Sequence, residues 1–412
     1  MARIKSFKAV RPRRDLAEKI AALPYDVYNR EEAKVEIAKE PHSFLRIDRA
    51  ETNFPDHVST YDTAVYEKAK NLLEEMLTNG EFVSEEKECF YIYELIMEGR
   101  SQTGLVACAS VDDYVNGVIK RHENTRTDKE LDRINHIDRC NAQTGPIFLT
   151  YRKSERVKEL INSKKLEDKL YGFTTDDGIT HNIWKLDEEA AVNNIKEEFE
   201  QIPAVYIADG HHRAASAVKV GLKRREEQPE YTGKEEFNFF LSVLFPAEEL
   251  LIMPYNRVVK DLNGHTEEEF LKKTAEYFKL EELGSKAYAP KEKGEYGMYL
   301  ENKWYRLVIK NEYRKDDEPV AGLDVSLLQE NLLENILGIN DPRSDKRIDF
   351  VGGIRGLAEL ERRASEDMRV AFSLYPTGIK ELMAVSDAGA LMPPKSTWFE
   401  PKLRSGLFIH QI

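Results

Sequence analysis

The sequence predicts an α+β fold, with mixed sheets flanked by helices. Three observations point there. Strand-like and helical segments do not alternate strictly, as a doubly wound βαβ protein would require. Two strand-like runs, FYIYELIM at 90–97 and TGLVACAS at 103–110, flank the polar turn Glu98-Gly99-Arg100 and read as a hairpin. Residues 60–79 place Tyr61, Val65, Leu72, Met76 and Leu77 near one helical face, with Gly80 following as a stop.

Taken in order, Leu23-Pro24-Tyr25-Asp26-Val27 reads as a strand end or turn. Residues 31–40 read as a helix stopped by Pro41. His42 to Asp48, with Phe44, Leu45 and Ile47 apolar, reads as a short strand. After the hairpin, 111–120 begins a helix capped near Asp112. A dense polar segment runs from Arg121 to Gln143 and ends in Gly145-Pro146 and the apolar Ile147-Phe148-Leu149. Residues 153–170 read as a charged helix, 182–186 as a strand, and 187–200 as a helix. Ala204–Ala208 has the pattern of a buried strand and leads through Asp209-Gly210-His211-His212-Arg213 into an Ala-rich helix at 214–223. Strands are expected at 239–245, 250–259, 305–310 and 369–374, and helices at 267–278, 324–337, 355–365 and 378–387. The break in the apolar run at Pro246 suggests two portions, 1–245 and 246–412.

Composition narrows the function classes. The 61 basic and 74 acidic side chains leave a net charge of −13, which argues against a broad nucleic-acid surface. No run of 18 apolar residues exists to span a membrane, and the N-terminal segment lacks a secretory signal pattern. Cys89, Cys108 and Cys140 are few, odd in number and widely spaced, which favours a reducing cytoplasm over a disulfide framework. No P-loop, HExxH, GxSxG or GxGxxG pattern is present.

Two clusters carry the chemistry. In the first, an apolar strand delivers Asp209, and Gly210 permits a tight turn or close ligand approach. The first-turn N–H groups of the following helix, with Arg213, would form an anion site. Asp209, His211 and His212 can bind a metal, hold phosphate or move a proton. The plainer reading is a helix start with two partly exposed histidines. In the second cluster, Arg121 and Arg126 suit bidentate phosphate or carboxylate recognition, Glu123 is a candidate general base, and His122 a candidate acid or phosphate ligand. Asn124, Thr125, Arg133 and His136 continue the polar run, and a helix at 127–140 would set Asp132 and His136 on one face. The plainer reading here is a solvated charged loop. Residues Pro24–Asp26, His42–Arg46, Arg257 and the Lys395-Ser396-Thr397 run are weaker candidates. His57, His181, His265 and His410 read as surface or packing residues.

DGHHR at 209–213, together with RHENT at 121–125, ALPYDV at 22–27 and PPKSTWFEPK at 393–402, resembles the family called domain of unknown function 1015. DGHHR is also similar to the nucleotide-contacting signature of the wider ParB-like superfamily, which includes CTP-using ParB proteins and free-serine kinases. The resemblance implies a ParB/serine-kinase-like core in the first portion and a C-terminal α/β portion that completes or covers the site. It implies nucleotide phosphates contacted by Asp209, His211, His212 and Arg213, with Gly210 allowing close approach. The resemblance also brings in ATP, ADP or CTP and Mg²⁺ as cofactors. No residue is assigned as a metal ligand. The leading expectation is a phosphotransferase acting on a hydroxylated amino acid such as serine, with Glu123 as base, by residue type rather than by a matched motif. The alternatives are a phosphoserine-type phosphatase and a nucleotide-sensing regulator without turnover. Expected partners are a small phosphorylated or hydroxylated metabolite and a second copy of the chain, with neither nucleic acid nor membrane.

Overall fold

The computed structural model describes residues 1–412. The chain divides into two compact units, Met1–Leu250 with Pro401–Ile412, and Leu251–Glu400. The break therefore falls after Leu250 rather than at Pro246. The reason is local: Glu249 Oε2 accepts from the Thr103 N–H at 2.7 Å, and Arg100 donates to the Glu249 carbonyl at 2.5 Å, so the turn after the strand stays with the first unit. Nor does the last portion run unbroken to the C-terminus. Residues 401–412 return to the first unit, where Leu403, Leu407, Phe408 and Ile409 are buried.

The first unit is built on a nine-stranded mixed sheet. Its order is Ile119–Lys120, Val205–Asp209, Ile147–Tyr151, Phe239–Pro246, Arg100–Ser110, Phe90–Met97, Thr180–Leu186 and Tyr171–Thr174, with Ile4–Lys5 also pairing Arg100–Ser110. Val205–Asp209 runs parallel to Ile119–Lys120 and antiparallel to Ile147–Tyr151. The hairpin at 90–110 forms as expected, and its turn residues Glu98 and Gly99 have φ of 51° and 78°, the left-handed pair of a two-residue connection. Helices Glu155–Lys164, Glu189–Phe199 and His211–Glu227 bury Val157, Ile195, Phe199, Ala214 and Val218 against sheet residues such as Ile92, Leu105 and Leu149. A second cluster gathers Ile20, Phe44, Ile47, Val65, Leu72, Phe82 and Ile409.

Several sequence expectations change. His42–Asp48 is not a strand: Leu45–Asp48 is a helical turn. Phe44, Leu45 and Ile47 are all buried, which one turn of helix achieves and a half-buried strand does not. The helix after the hairpin spans only Val111–Val115, capped by Ser110 rather than Asp112, and Gly117 at φ 75° follows its end. The 153–170 segment is helical over Glu155–Lys164. The Ala-rich helix starts earlier and ends later than expected, at His211–Glu227. The 324–337 helix is a short α-turn, Asp324–Leu328, that widens into π-type turns over Gln329–Glu334.

The second unit contains a six-stranded antiparallel sheet in the order Phe278–Gly284, Lys303–Ile309, Glu295–Leu300, Val370–Leu374, Tyr255–Val259 and Ile348–Gly352. Trp304, Val258, Ala371 and Leu360 pack together in its core. No helix of the chain is long and apolar enough to cross a membrane.

Candidate functional site

The site begins at the end of Val205–Asp209. Val205, Tyr206, Ile207 and Ala208 are buried, so burial of apolar side chains fixes this strand in the sheet. The pairing slips between Ile207 and Asp209, opposite Leu149 and Phe148. Such a bulge adds one residue and re-aims the side chain that follows. Gly210 then takes φ 91°, ψ 32°, a conformation at ease only without a Cβ. A Cβ there would lie 3.1 Å from the Arg213 guanidinium. His211 opens a 17-residue helix whose start has no side-chain cap.

The 121–126 segment lies against this turn. His122 and His211 are buried and pack edge to face, with ring centroids 4.4 Å apart at 84°. Glu123 Oε2 is 3.6 Å from His211 Nδ1, within ion-pair range and beyond a hydrogen bond. The Arg126 N–H donates to His212 Nε2 at 2.9 Å, which places the proton of neutral His212 on Nδ1. Below this contact the 127–140 and 211–227 helices are stitched together. Ser216 Oγ donates to the Glu130 carbonyl at 3.0 Å, Lys219 pairs with the Glu130 carboxylate, and Arg224 reaches Asp138 at 3.0 Å. The two sequence clusters therefore meet in space.

Electrostatics divide the site into neutral histidines and fixed charges. Burial lowers the His122 pKa to about 4, against a weaker opposing pull from Asp209. Burial, and then the neighbouring His122, push His211 well below its ordinary value. His212 is lowered by burial, partly offset by Asp26 and Glu130. The buried Nδ1 of His122 and Nε2 of His211 have no hydrogen-bond partner. Burial alone would raise the Asp209 pKa, but Lys402 and then Arg213 outweigh it and hold the carboxyl below its ordinary range. Asp209 Oδ2 lies 3.6 Å from Lys402 Nζ and 3.8 Å from an Arg213 nitrogen. Arg213 also donates to the Pro146 carbonyl at 2.7 Å.

Arg121 is exposed and lies over the Tyr114 ring at 5.2 Å. Asn124 is exposed, and the Thr125 hydroxyl donates to Glu130. Arg133 is buried, hydrogen-bonded to Asp132 at 2.9 Å and stacked on Tyr25 at 4.0 Å. His136 Nε2 lies 3.3 Å from the Ile47 carbonyl. Arg133 and His136 share with Arg213 the lining of a cavity of about 30 Å³, to which Tyr25, Asp48 and Thr144 contribute. That is room for about one water. Arg46 instead donates to the Pro41 carbonyl, at the surface.

Sequence reasoning missed Lys402 and Asp48 as neighbours of the site. Lys402 stood inside the PPKSTWFEPK run, but nothing in its surroundings signals that the chain folds back to Asp209. It also left His181 and His410 without partners. Both are buried: His181 Nδ1 lies 2.8 Å from the Tyr93 hydroxyl, and His410 Nε2 is 2.8 Å from Glu236.

The fold and this junction define an α+β protein with a histidine- and arginine-bearing strand-to-helix turn. Residues 4–326 match the family described as protein of unknown function DUF1015, and the chain belongs to it. A comparison with curated proteins gives no match. Among solved structures, free serine kinase in complex with AMP overlaps the chain with a TM-score of 0.35 and 13% identity, covering 73% of this chain and 91% of its own. SbnI with a C-terminal truncation, from Staphylococcus aureus, overlaps with a TM-score of 0.37 and 11% identity, covering 73% and 85%. A conserved hypothetical protein from Pyrococcus furiosus overlaps with a TM-score of 0.34 and 14% identity, covering 76% and 96%.

Proposed function

We propose that the protein is a phosphotransferase that moves a phosphoryl group from a nucleotide to a hydroxylated amino acid such as serine. The observation that carries this reading is the approach of Glu123 Oε2 to 3.6 Å from His211 Nδ1, at an uncapped helix start opened by Gly210. Phosphoryl transfer asks a protein for positioning and charge rather than covalent work. In this reading the first-turn N–H groups of the 211–227 helix and Arg213 bind the donor phosphates. Glu123 accepts the proton of the substrate hydroxyl as its oxygen bonds to phosphorus. The bond from phosphorus to the bridging oxygen breaks, and the nucleotide leaves one phosphate shorter.

The two buried histidines support the same reading. Neutral in the free protein, they can each take a proton or donate a hydrogen bond when a phosphate arrives beside them. No group of three or more His, Cys, Asp or Glu side chains converges as a cation site. Mg²⁺ does not require one, because it takes most of its ligands from phosphate and water and needs one or two carboxylates. Asp209, at the strand end beside the helix start, is the carboxylate that fits this role, with Glu123 kept as the base. Magnesium would neutralise charge on the donor phosphates.

The test is incubation with ATP, ADP or CTP, Mg²⁺ and L-serine, followed by mass spectrometry for phosphoserine. Phosphoserine that appears only with nucleotide supports the proposal. Phosphate release from phosphoserine without nucleotide would replace it with a hydrolase. Nucleotide binding with no turnover across a panel of hydroxylated amino acids would replace it with a regulator.

A further inference from the structure

The C-terminal segment is stitched into the first unit over its whole length. The Ser405 N–H donates to the Ala22 carbonyl at 2.8 Å and the Ile409 N–H to the Val10 carbonyl at 2.8 Å. His410–Gln411 pairs with Ala142–Gln143, directly after the 127–140 helix. Arg404 is buried, pairs with Asp177 and donates to His181 Nε2 at 3.3 Å and to Thr175 at 3.1 Å. Two residues before this latch, Lys402 stands 3.6 Å from Asp209 Oδ2, and Arg213 reaches the same oxygen at 3.8 Å.

A surface lysine pairing a surface carboxylate would need none of this anchoring. Here a buried arginine and a buried histidine hold the chain two residues from the lysine. The carboxylate it meets is at the bulged end of a core strand. Both separations exceed hydrogen-bond length, so the three groups share charge without a direct hydrogen bond.

We propose that Lys402 contacts the phosphate chain of a bound nucleoside di- or triphosphate, and that the Arg404–His181–Asp177 latch positions it there. This rests on the nucleotide reading of the site. Lysine suits the role as a compact point charge, and Arg213 adds the planar fork beside it. Asp209 then orients both cations.

The experiment measures ADP binding with Mg²⁺ by calorimetry for the full chain, Lys402→Met and Lys402→Arg, with thermal melts alongside. Loss of one charged phosphate contact weakens ADP binding roughly 10- to 100-fold in Lys402→Met. Lys402→Arg, which keeps a phosphate-binding cation, recovers most of the affinity lost in Lys402→Met. A second measurement needs no variant: in the unsubstituted protein, saturating ADP protects the Lys402 amine from trace acetylation, read by peptide mass spectrometry. Unchanged ADP affinity in Lys402→Met, or no protection by ADP, overturns the assignment. ADP binding that depends on Lys402, without phosphotransfer to any acceptor, leaves the assignment standing and removes the kinase reading. Phosphotransfer unaffected by Lys402→Met does the reverse.

Discussion

Replacing His122 with glutamine tests how the site handles protons. His122 is 2% exposed, and burial holds its pKa at about 4 against the ordinary 6.5. The folded chain therefore resists a proton that the unfolded chain accepts. Stability from this source is complete above pH 6.5 and is lost progressively as pH falls toward the folded value near 4. Each pH unit in that window costs about 1.4 kcal/mol. At about pH 5 the loss due to His122 is on the order of 2 kcal/mol, or roughly 4–8 °C in melting temperature for a unit of this size. His122→Gln removes the group that protonates, and its buried Nδ1 has no partner to strand. The assay is urea unfolding of both chains at about pH 7.5 and pH 5. The variant loses about 2 kcal/mol less than the unsubstituted chain on acidification. His136 and His181, lowered to about 4 and about 3, continue to make both chains acid-sensitive. Equal losses in the two chains would refute the reasoning, because His122 would then ionise as readily folded as unfolded.

Two further outcomes concern backbone and packing. Gly210→Ala places a Cβ at φ 91° and 3.1 Å from the Arg213 guanidinium. It lowers stability by about 1–2 kcal/mol in a melt and weakens ADP binding, and an unchanged melt would show that the left-handed turn is not required. Gly104→Ala sets a Cβ 2.8 Å from Val243 Cγ1 and Phe245 Cε1 in the middle of the large sheet. Overpacking there costs about 1–3 kcal/mol without altering nucleotide affinity, and a loss of affinity as large as the loss of stability would contradict that separation.

Much of the architecture was legible because local signals agreed with the fold. The Ala204–Ala208 run, Gly210 and the small residues after it mark a strand, a turn and a closely packed helix within one short stretch. The 90–110 hairpin was legible for the same reason. Where apolar residues were few and adjacent, as at Phe44, Leu45 and Ile47, strand and helix periods could not be separated, and burial chose the helix. In the edge strand Phe278–Gly284 the apolar alternation holds only over Phe278-Lys279-Leu280-Glu281 and breaks at Glu282-Leu283, too short a run to mark a strand. The two chemical clusters were visible as residue types, but their meeting depends on packing between the 127–140 and 211–227 helices. Nothing local to Glu123 encodes that. Lys402 was least legible, because its place depends on contacts made by the chain on either side of residues 251–400.

The most direct test of the central claim is phosphoryl transfer by the unsubstituted chain compared with Glu123→Gln. Glu123 is half-exposed, and glutamine keeps its shape, so the fold and ADP affinity should hold. Loss of a general base lowers the turnover number by roughly 10²- to 10⁴-fold. Phosphoserine formed from nucleotide and serine by the unsubstituted chain, with that drop in the variant, is the predicted result. Equal turnover by both chains would contradict the account.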